Sequence, residues 1–377
     1  MNRRSQLRLV CTVLGLGGLL AVGAGCGGGS AGVESELVAK AGDTVTSFAF
    51  APDGRLFLTE QSSGRVRIIT ADGEILGEPF ATIDTRPGAE WGLMAVTIDP
   101  EFEENHYVYT YGTQPAGPEP NQARPVLMRF TDVNNKGENP EKLIEFPLAN
   151  PEVQAHVGGS IHFGPDGYLY ISIGETERGE LAQDLSSPLG KLLRVTRDGE
   201  PAPDNPFVDR EGADPRVYAY GFRNPFTFTF DPESGRIYLT DNGPSTCDEL
   251  NIIEAGKYYG WPDSLSSGDK PCENPGGVEP IYLYAQAGKK PEEIGSNTAP
   301  TGLAFVSGEV YPGLGDGLLV CEFVPRLMRR LKLEGSGKDQ VTDDRIVIRD
   351  CGVAVARDSN GIIYYSFGTE IRRLVPK

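Results

Sequence analysis

Six times along this chain an apolar-x-apolar triplet leads through a short turn into a second apolar strand. The copies begin at Phe48, Val96, Ile161, Phe228, Leu303 and Val353, spaced by roughly 50 to 75 residues, an interval that marks repeated supersecondary units. Three carry nearly one phrase: Phe50-Ala51-Pro52-Asp53-Gly54, Phe163-Gly164-Pro165-Asp166-Gly167 and Phe230-Asp231-Pro232-Glu233-Ser234-Gly235. Pro presets one turn dihedral, Asp bonds its own backbone and Gly takes positive φ, so each phrase predicts a hairpin between alternating strands. A further strand follows most hairpins, at Gly64–Ile69, Gly190–Val195, Glu249–Ile253 and Leu327–Leu333. Such sheets cannot bury both faces alone, but six arranged radially cover one another and leave only short edges. The expected fold is all-β, a six-bladed β-propeller, with Glu36–Ala39 and Glu370–Val375 sharing the last blade and closing the ring.

Radially repeated β folds reach 377 residues as one unit, and the 48 Gly and 29 Pro fall mostly at turns. The first residues read as something else. Arg3, Arg4 and Arg8 precede an apolar stretch from Leu9 to Val22 and a small-residue run ending at Cys26. This is the pattern of an export signal at residues 1–25, with Cys26 as the candidate lipidated N-terminus and residues 26–34 as a flexible tether to a propeller at 35–377. The expected location is the outer face of the cell membrane, with the lipid as the only membrane attachment. Export implies an oxidising compartment, where Cys247, Cys272, Cys321 and Cys351 form an even set. Sequence proximity favours Cys247 with Cys272 and Cys321 with Cys351, although four cysteines allow three connectivities. A net charge of −18 excludes nucleic acid as a partner, because phosphate binding needs a basic footprint.

Three segments carry chemistry. Gln154-Ala155-His156-Val157-Gly158-Gly159 precedes the first strand of a blade, which in a propeller lies nearest the axis. An imidazole beside two glycines, at the channel mouth, is a candidate general base. Of the other histidines, His106 lies in a polar turn and reads as a surface residue, and His162 lies on an alternating strand and reads as structural. Gly221-Phe222-Arg223-Asn224-Pro225 also precedes an innermost strand and offers a fixed fork of donors, or an Arg bonding carbonyls in a tight corner. Asp241-Asn242-Gly243-Pro244 ends a strand with free carbonyls and carboxylates, the oxygen ligands that hard cations favour.

Together these segments resemble the glucose/sorbosone dehydrogenase family, soluble sugar dehydrogenases that use pyrroloquinoline quinone. The likeness extends through Gly190-Lys191-Leu192-Leu193-Arg194, Pro203-Asp204-Asn205-Pro206, Tyr259-Gly260-Trp261-Pro262 and Ala299-Pro300-Thr301-Gly302 over nearly the whole exported chain. The resemblance implies His156 as the base that takes the proton of a sugar's anomeric hydroxyl. It implies Arg223 and Asn224 on the quinone oxygens, the carbonyls of Gly243 and Pro244 on Ca²⁺, and Arg349 on a cofactor carboxylate. The implied activity is oxidation of an aldose-type sugar to its lactone, with electrons passing to an acceptor the sequence does not name.

The chain departs from the family pattern at named positions. Ser307 stands where a Lys is expected for a cofactor carboxylate, Val347 where the first Arg of Arg-x-Arg-Asp is expected, Glu90 in place of Gln, and Ala155 in place of Asp. Fewer cations and an added carboxylate disfavour a tricarboxylate ligand, though Arg345, four residues before Arg349, is expected on the same strand face. These departures keep two other readings open: a non-catalytic propeller that binds a glycan or protein, and a Ca²⁺-dependent lactone hydrolase.

Overall fold

A computed structural model describes residues 32–119, 121–244, 247–263, 272, 274–284 and 298–377. Residues 1–25, read above as an export signal, Cys26 and most of the stretch read as a tether lie outside the described residues. Six four-stranded antiparallel sheets form the six blades. In order they are β2–β5 (Val45–Phe50, Leu56–Glu60, Arg65–Ile69, Ala81–Thr82) and β6–β9 (Leu93–Ile98, Tyr107–Pro115, Ala123–Val133, Lys136–Glu145). Next come β10–β13 (Ile161–Phe163, Leu169–Ile173, Lys191–Val195, Val217–Tyr220) and β14–β17 (Pro225–Phe230, Ile237–Asp241, Glu249–Ile253, Tyr282–Leu283). Blade five is β18–β21 (Pro300–Val306, Gly317–Glu322, Leu327–Glu334, Gln340–Arg349). The sixth joins β22–β24 (Val355–Arg357, Ile363–Phe367, Glu370–Pro376) to β1 (Val33–Lys40), with Val33 opposite Pro376, so both chain ends close the ring. β1 therefore begins inside the stretch read as tether.

The turns do what their residues dictate. Gly54, Gly167 and Gly235 hold φ of 85°, 79° and 72°, while Asp53, Asp166 and Asp231 accept the backbone N–H of the residue two further on. Large apolar clusters lie between neighbouring blades. Tyr109 and Tyr111 of blade two pack on Ile171 and Leu193 of blade three, and Leu319 and Met328 of blade five pack on Ile363 and Tyr365 of blade six. Fully burying one such side chain contributes about 1.5 to 3 kcal/mol. Because both faces of the second strand are covered, β3, β11 and β15 are buried throughout rather than alternating. Polar residues at their ends, such as Glu60 and Asp241, are thereby drawn inside. The pairings Cys247–Cys272 and Cys321–Cys351 both form, with Cα–Cα distances of 5.2 and 5.5 Å. Among the described residues, no helix is long and apolar enough to cross a membrane.

Candidate active site

The loops that lead into the innermost strands β2, β6, β10, β14, β18 and β22 all open at one end of the axis. There a cavity of about 680 Å³ is lined by Thr44, Gln61, Glu90, Phe226, Asn242 and Arg326, among others. His162 faces a separate cavity formed by the inner strands toward the turn end and packs edge-on against Phe228. His106 is exposed at the left-handed end of a short helical turn. Both are therefore remote from the loop-side mouth.

His156 is fixed from every side. Its backbone is left-handed, with φ 53°; its N–H donates to Glu90 Oε2 at 2.7 Å and its carbonyl accepts from Thr176. Imidazole Nδ1 lies 2.6 Å from Glu175 Oε1 and Nε2 lies 3.3 Å from Glu177 Oε1. Glycine is required two residues on: Gly158 has φ 74°, and a Cβ there would stand 2.2 Å from the Ser172 carbonyl oxygen. That close approach lets the Gly158 N–H donate to Asn224 Oδ1 at 3.3 Å.

Asn224 and Arg223 come from the next blade. Both backbone N–H groups donate to the Asp241 carboxylate, at 2.7 and 2.9 Å, which fixes the loop on the end of β15. Burial pushes Asp241 up to about 7, against the pull of those bonds. Asn224 Nδ2 donates to Glu90 Oε2 at 3.1 Å, and the Glu175 N–H donates to the Arg223 carbonyl. Glu90 thus joins loops from three successive blades. As a residue it is half-buried because it lines the cavity, while its carboxyl group is enclosed, and desolvation holds it above the usual carboxylate range despite His156 and Asn224. Arg223 Nη1 donates to the carbonyls of Asn242 and Gly243, both at 2.9 Å, with its guanidinium 5.6 Å from the Trp261 ring centre. The Gly243 carbonyl therefore already faces a cation, and Pro244 beyond it is exposed.

The remaining sequence candidates divide. Arg349 is exposed at the end of β21, opposite Leu327. The N–H of Asp350 donates to the Arg326 carbonyl at 2.7 Å, so the Arg349 segment adjoins the cavity-lining Arg326. Ser307 follows β18 at the end away from the cavity, where its carbonyl accepts from Tyr311 in the hairpin turn. It cannot stand in for a cofactor-binding Lys. Val347 is buried in the core between blades five and six, and the register shift beside it breaks the strand alternation. Arg345 accordingly donates to Gly313 and Leu314 carbonyls in the distant hairpin and does not compensate for a missing cation at the mouth.

Four participants went unread in the sequence: Glu175, Glu177, Asp241 as a loop anchor, and Arg326. A signal existed for the first two, because Gly174-Glu175-Thr176-Glu177 ends β11 as Asp241-Asn242-Gly243 ends β15. None was available for Arg326, which sits on a β19–β20 turn brought to the cavity only by ring closure.

An aldose sugar dehydrogenase of Escherichia coli is 27% identical over 347 residues, covering 85% of each chain. Quinoprotein glucose dehydrogenase B of Acinetobacter calcoaceticus is 29% identical over 238 residues, 56% of this chain and 48% of that protein. Among solved structures, a Thermus putative oxidoreductase described as a glucose dehydrogenase superposes with a TM-score of 0.78 at 31% identity, covering 91% of this chain and all of that one. The glucose/sorbosone dehydrogenase family profile matches residues 43–374, so this chain belongs to that family.

Proposed function

We propose that this protein is an exported quinoprotein dehydrogenase that oxidises an aldose-type sugar to its lactone with His156 as general base. The observation that carries the reading is the shared network in which Glu90 and Asn224 join the His156 loop to the Arg223 corner beside one cavity. The quinoprotein name of the Acinetobacter relative supports the cofactor class. So does the chemistry of the cavity: its volume suits a planar tricyclic ligand, Arg326 lines it, and buried Asn242 Oδ1 has no hydrogen-bond partner.

Arg223 and Asn224 would hold quinone oxygens, Arg326 and Arg349 the carboxylates, and the Gly243 and Pro244 carbonyls a Ca²⁺ ion. When bound, the quinone supplies the acceptor for the hydride leaving C1 of the sugar, and Ca²⁺ polarises it. The protein's own part is proton transfer and orientation. Glu175 accepts from Nδ1–H, which leaves the Nε2 lone pair to take the anomeric proton and offsets the charge of the imidazolium that forms. Arg223 stabilises negative charge developing on the oxygens it holds. Glu90 would meet a tricarboxylate without repulsion when its raised carboxyl is protonated. The paired disulfides favour an oxidising compartment, consistent with export and with lipidation at Cys26.

The test is turnover. Purified protein with pyrroloquinoline quinone and Ca²⁺ should reduce a soluble dye in the presence of an aldose, and His156→Ala should abolish this. Lactone hydrolysis without quinone, or sugar binding that is indifferent to His156→Ala and never yields turnover, would replace the proposal with one of the other readings.

A further inference from the structure

Each oxidation by this mechanism leaves a proton on His156, a residue only 5% exposed. Its Nδ1 is committed to Glu175, which is itself buried at 1% exposure and accepts the Arg178 N–H through its second oxygen. The remaining ring nitrogen, Nε2, faces Glu177 Oε1 at 3.3 Å, and that side chain is 38% exposed. Glu177 is therefore the partner of His156 that reaches solvent.

Its placement is built into the backbone. Thr176 and Glu177 are consecutive left-handed residues, with φ of 54° and 60°, a conformation unfavourable for non-glycine residues that persists where the surroundings enforce it. The enforcing bonds run from Thr176 N–H to the His156 carbonyl and from Arg178 N–H to the Glu175 carbonyl. The turn thus aims one carboxylate at each nitrogen of the same ring. The other charged groups near His156 are Glu90, which accepts its backbone N–H, and Asp241 from the neighbouring blade, whose carboxylate also accepts the Arg223 N–H. Arg178 pairs with Glu180.

Resting on the dehydrogenase reading above, we propose that Glu177 is the proton exit of the site, receiving from His156 Nε2 the proton taken from the sugar and releasing it to water. The anomeric O–H bond breaks and Nε2–H forms as the C1 hydride leaves to the quinone acceptor and the carbonyl closes. Nε2–H then breaks, the Glu177 carboxyl O–H forms, and that proton passes to solvent, restoring both groups.

The test compares wild type with Glu177→Gln, which keeps size but accepts no proton, and with Glu177→Asp. In reconstituted protein, Glu177→Gln should lower kcat by about 100-fold with KM little changed. Its kcat should then rise with the concentration of a small buffer base such as acetate, which accepts the proton in place of Glu177, while Glu177→Asp should recover part of the rate without buffer. The solvent deuterium isotope effect on kcat should rise in Glu177→Gln, because proton release then limits turnover, and should return toward the wild-type value as acetate is added. A Glu177→Gln enzyme with wild-type, buffer-independent kcat, or with an unchanged solvent isotope effect, overturns the relay and leaves the dehydrogenase reading intact. Wild-type protein that turns over no sugar overturns both.

Discussion

Replacing Glu90 with Ala removes the one acceptor shared by the His156 backbone N–H and Asn224 Nδ2. Both donors belong to buried residues. An unsatisfied buried donor costs about 1 to 3 kcal/mol, and water entering from the cavity satisfies part of that demand, so the pair sums to about 2 to 4 kcal/mol. Gln offers an oxygen of the same reach, so Glu90→Gln should stay within about 1 kcal/mol of wild type. Urea unfolding followed by tryptophan fluorescence suits the question, because one of the two tryptophans, Trp91, is the adjacent residue and is fully buried. Equal slopes against denaturant would confirm that stability, not compactness, has changed. pH supplies an independent check. The folded Glu90 carboxyl is raised above its unfolded value by burial, so the contribution it makes when protonated is full below the unfolded value and is lost as pH rises through the folded one. Wild type should therefore gain on Glu90→Gln as pH falls. A loss below about 0.5 kcal/mol in Glu90→Ala, or equal losses in Ala and Gln, would refute the idea that this carboxyl clamps three blades.

Loop-closure entropy over the sequence separation of 30 between Cys321 and Cys351 gives about 3.6 kcal/mol for that disulfide; the double Ala variant should lose at least this in urea unfolding, and a loss under about 1 kcal/mol would contradict the assignment. Val347→Arg, which restores the family's residue type, should fail to strengthen quinone binding and should destabilise by about 3 kcal/mol or more, because it places a charge in the core between two blades. Glu249 is pushed up to about 8 by burial and by Asp241. Unfolding releases its proton between the ordinary carboxylate value and about 8, so stability should fall as pH rises through that window. Glu249→Gln should flatten the fall in melting temperature between pH 5.5 and pH 8.5, and parallel curves would contradict the assignment.

Local chemistry made the fold legible. The Pro-Asp-Gly hairpins need only neighbouring residues to form, and their recurrence fixes six blades whatever the loops do. The disulfides follow similarly, since each links segments within a few dozen residues. The candidate site was legible as far as it lies just before an innermost strand, where the structure brings the His156, Arg223 and Asn224 loops together. Glu175 and Glu177 end β11 as Asp241-Asn242-Gly243 ends β15, but only the left-handed turn at Thr176 and Glu177 brings their carboxylates to the imidazole. Val347 and Arg345 were misplaced for one reason: a bulge in β21 reverses the alternation on which the same-face argument rests. Ser307 was assigned by position along the chain, yet strand direction carries it to the wrong end of β18. Arg326 reaches the cavity through the closed ring, a relation that no local pattern encodes.

The central claim is that the loop-side mouth of this ring holds a planar quinone between Arg223 and the cavity wall, and direct binding tests it without assuming a substrate. Titrating purified protein with pyrroloquinoline quinone while following the quinone absorption band should show one Ca²⁺-dependent site per chain, weakened about 30-fold or more by Arg223→Ala. No saturable binding in the presence of Ca²⁺, or binding that Arg223→Ala leaves unchanged, would contradict it.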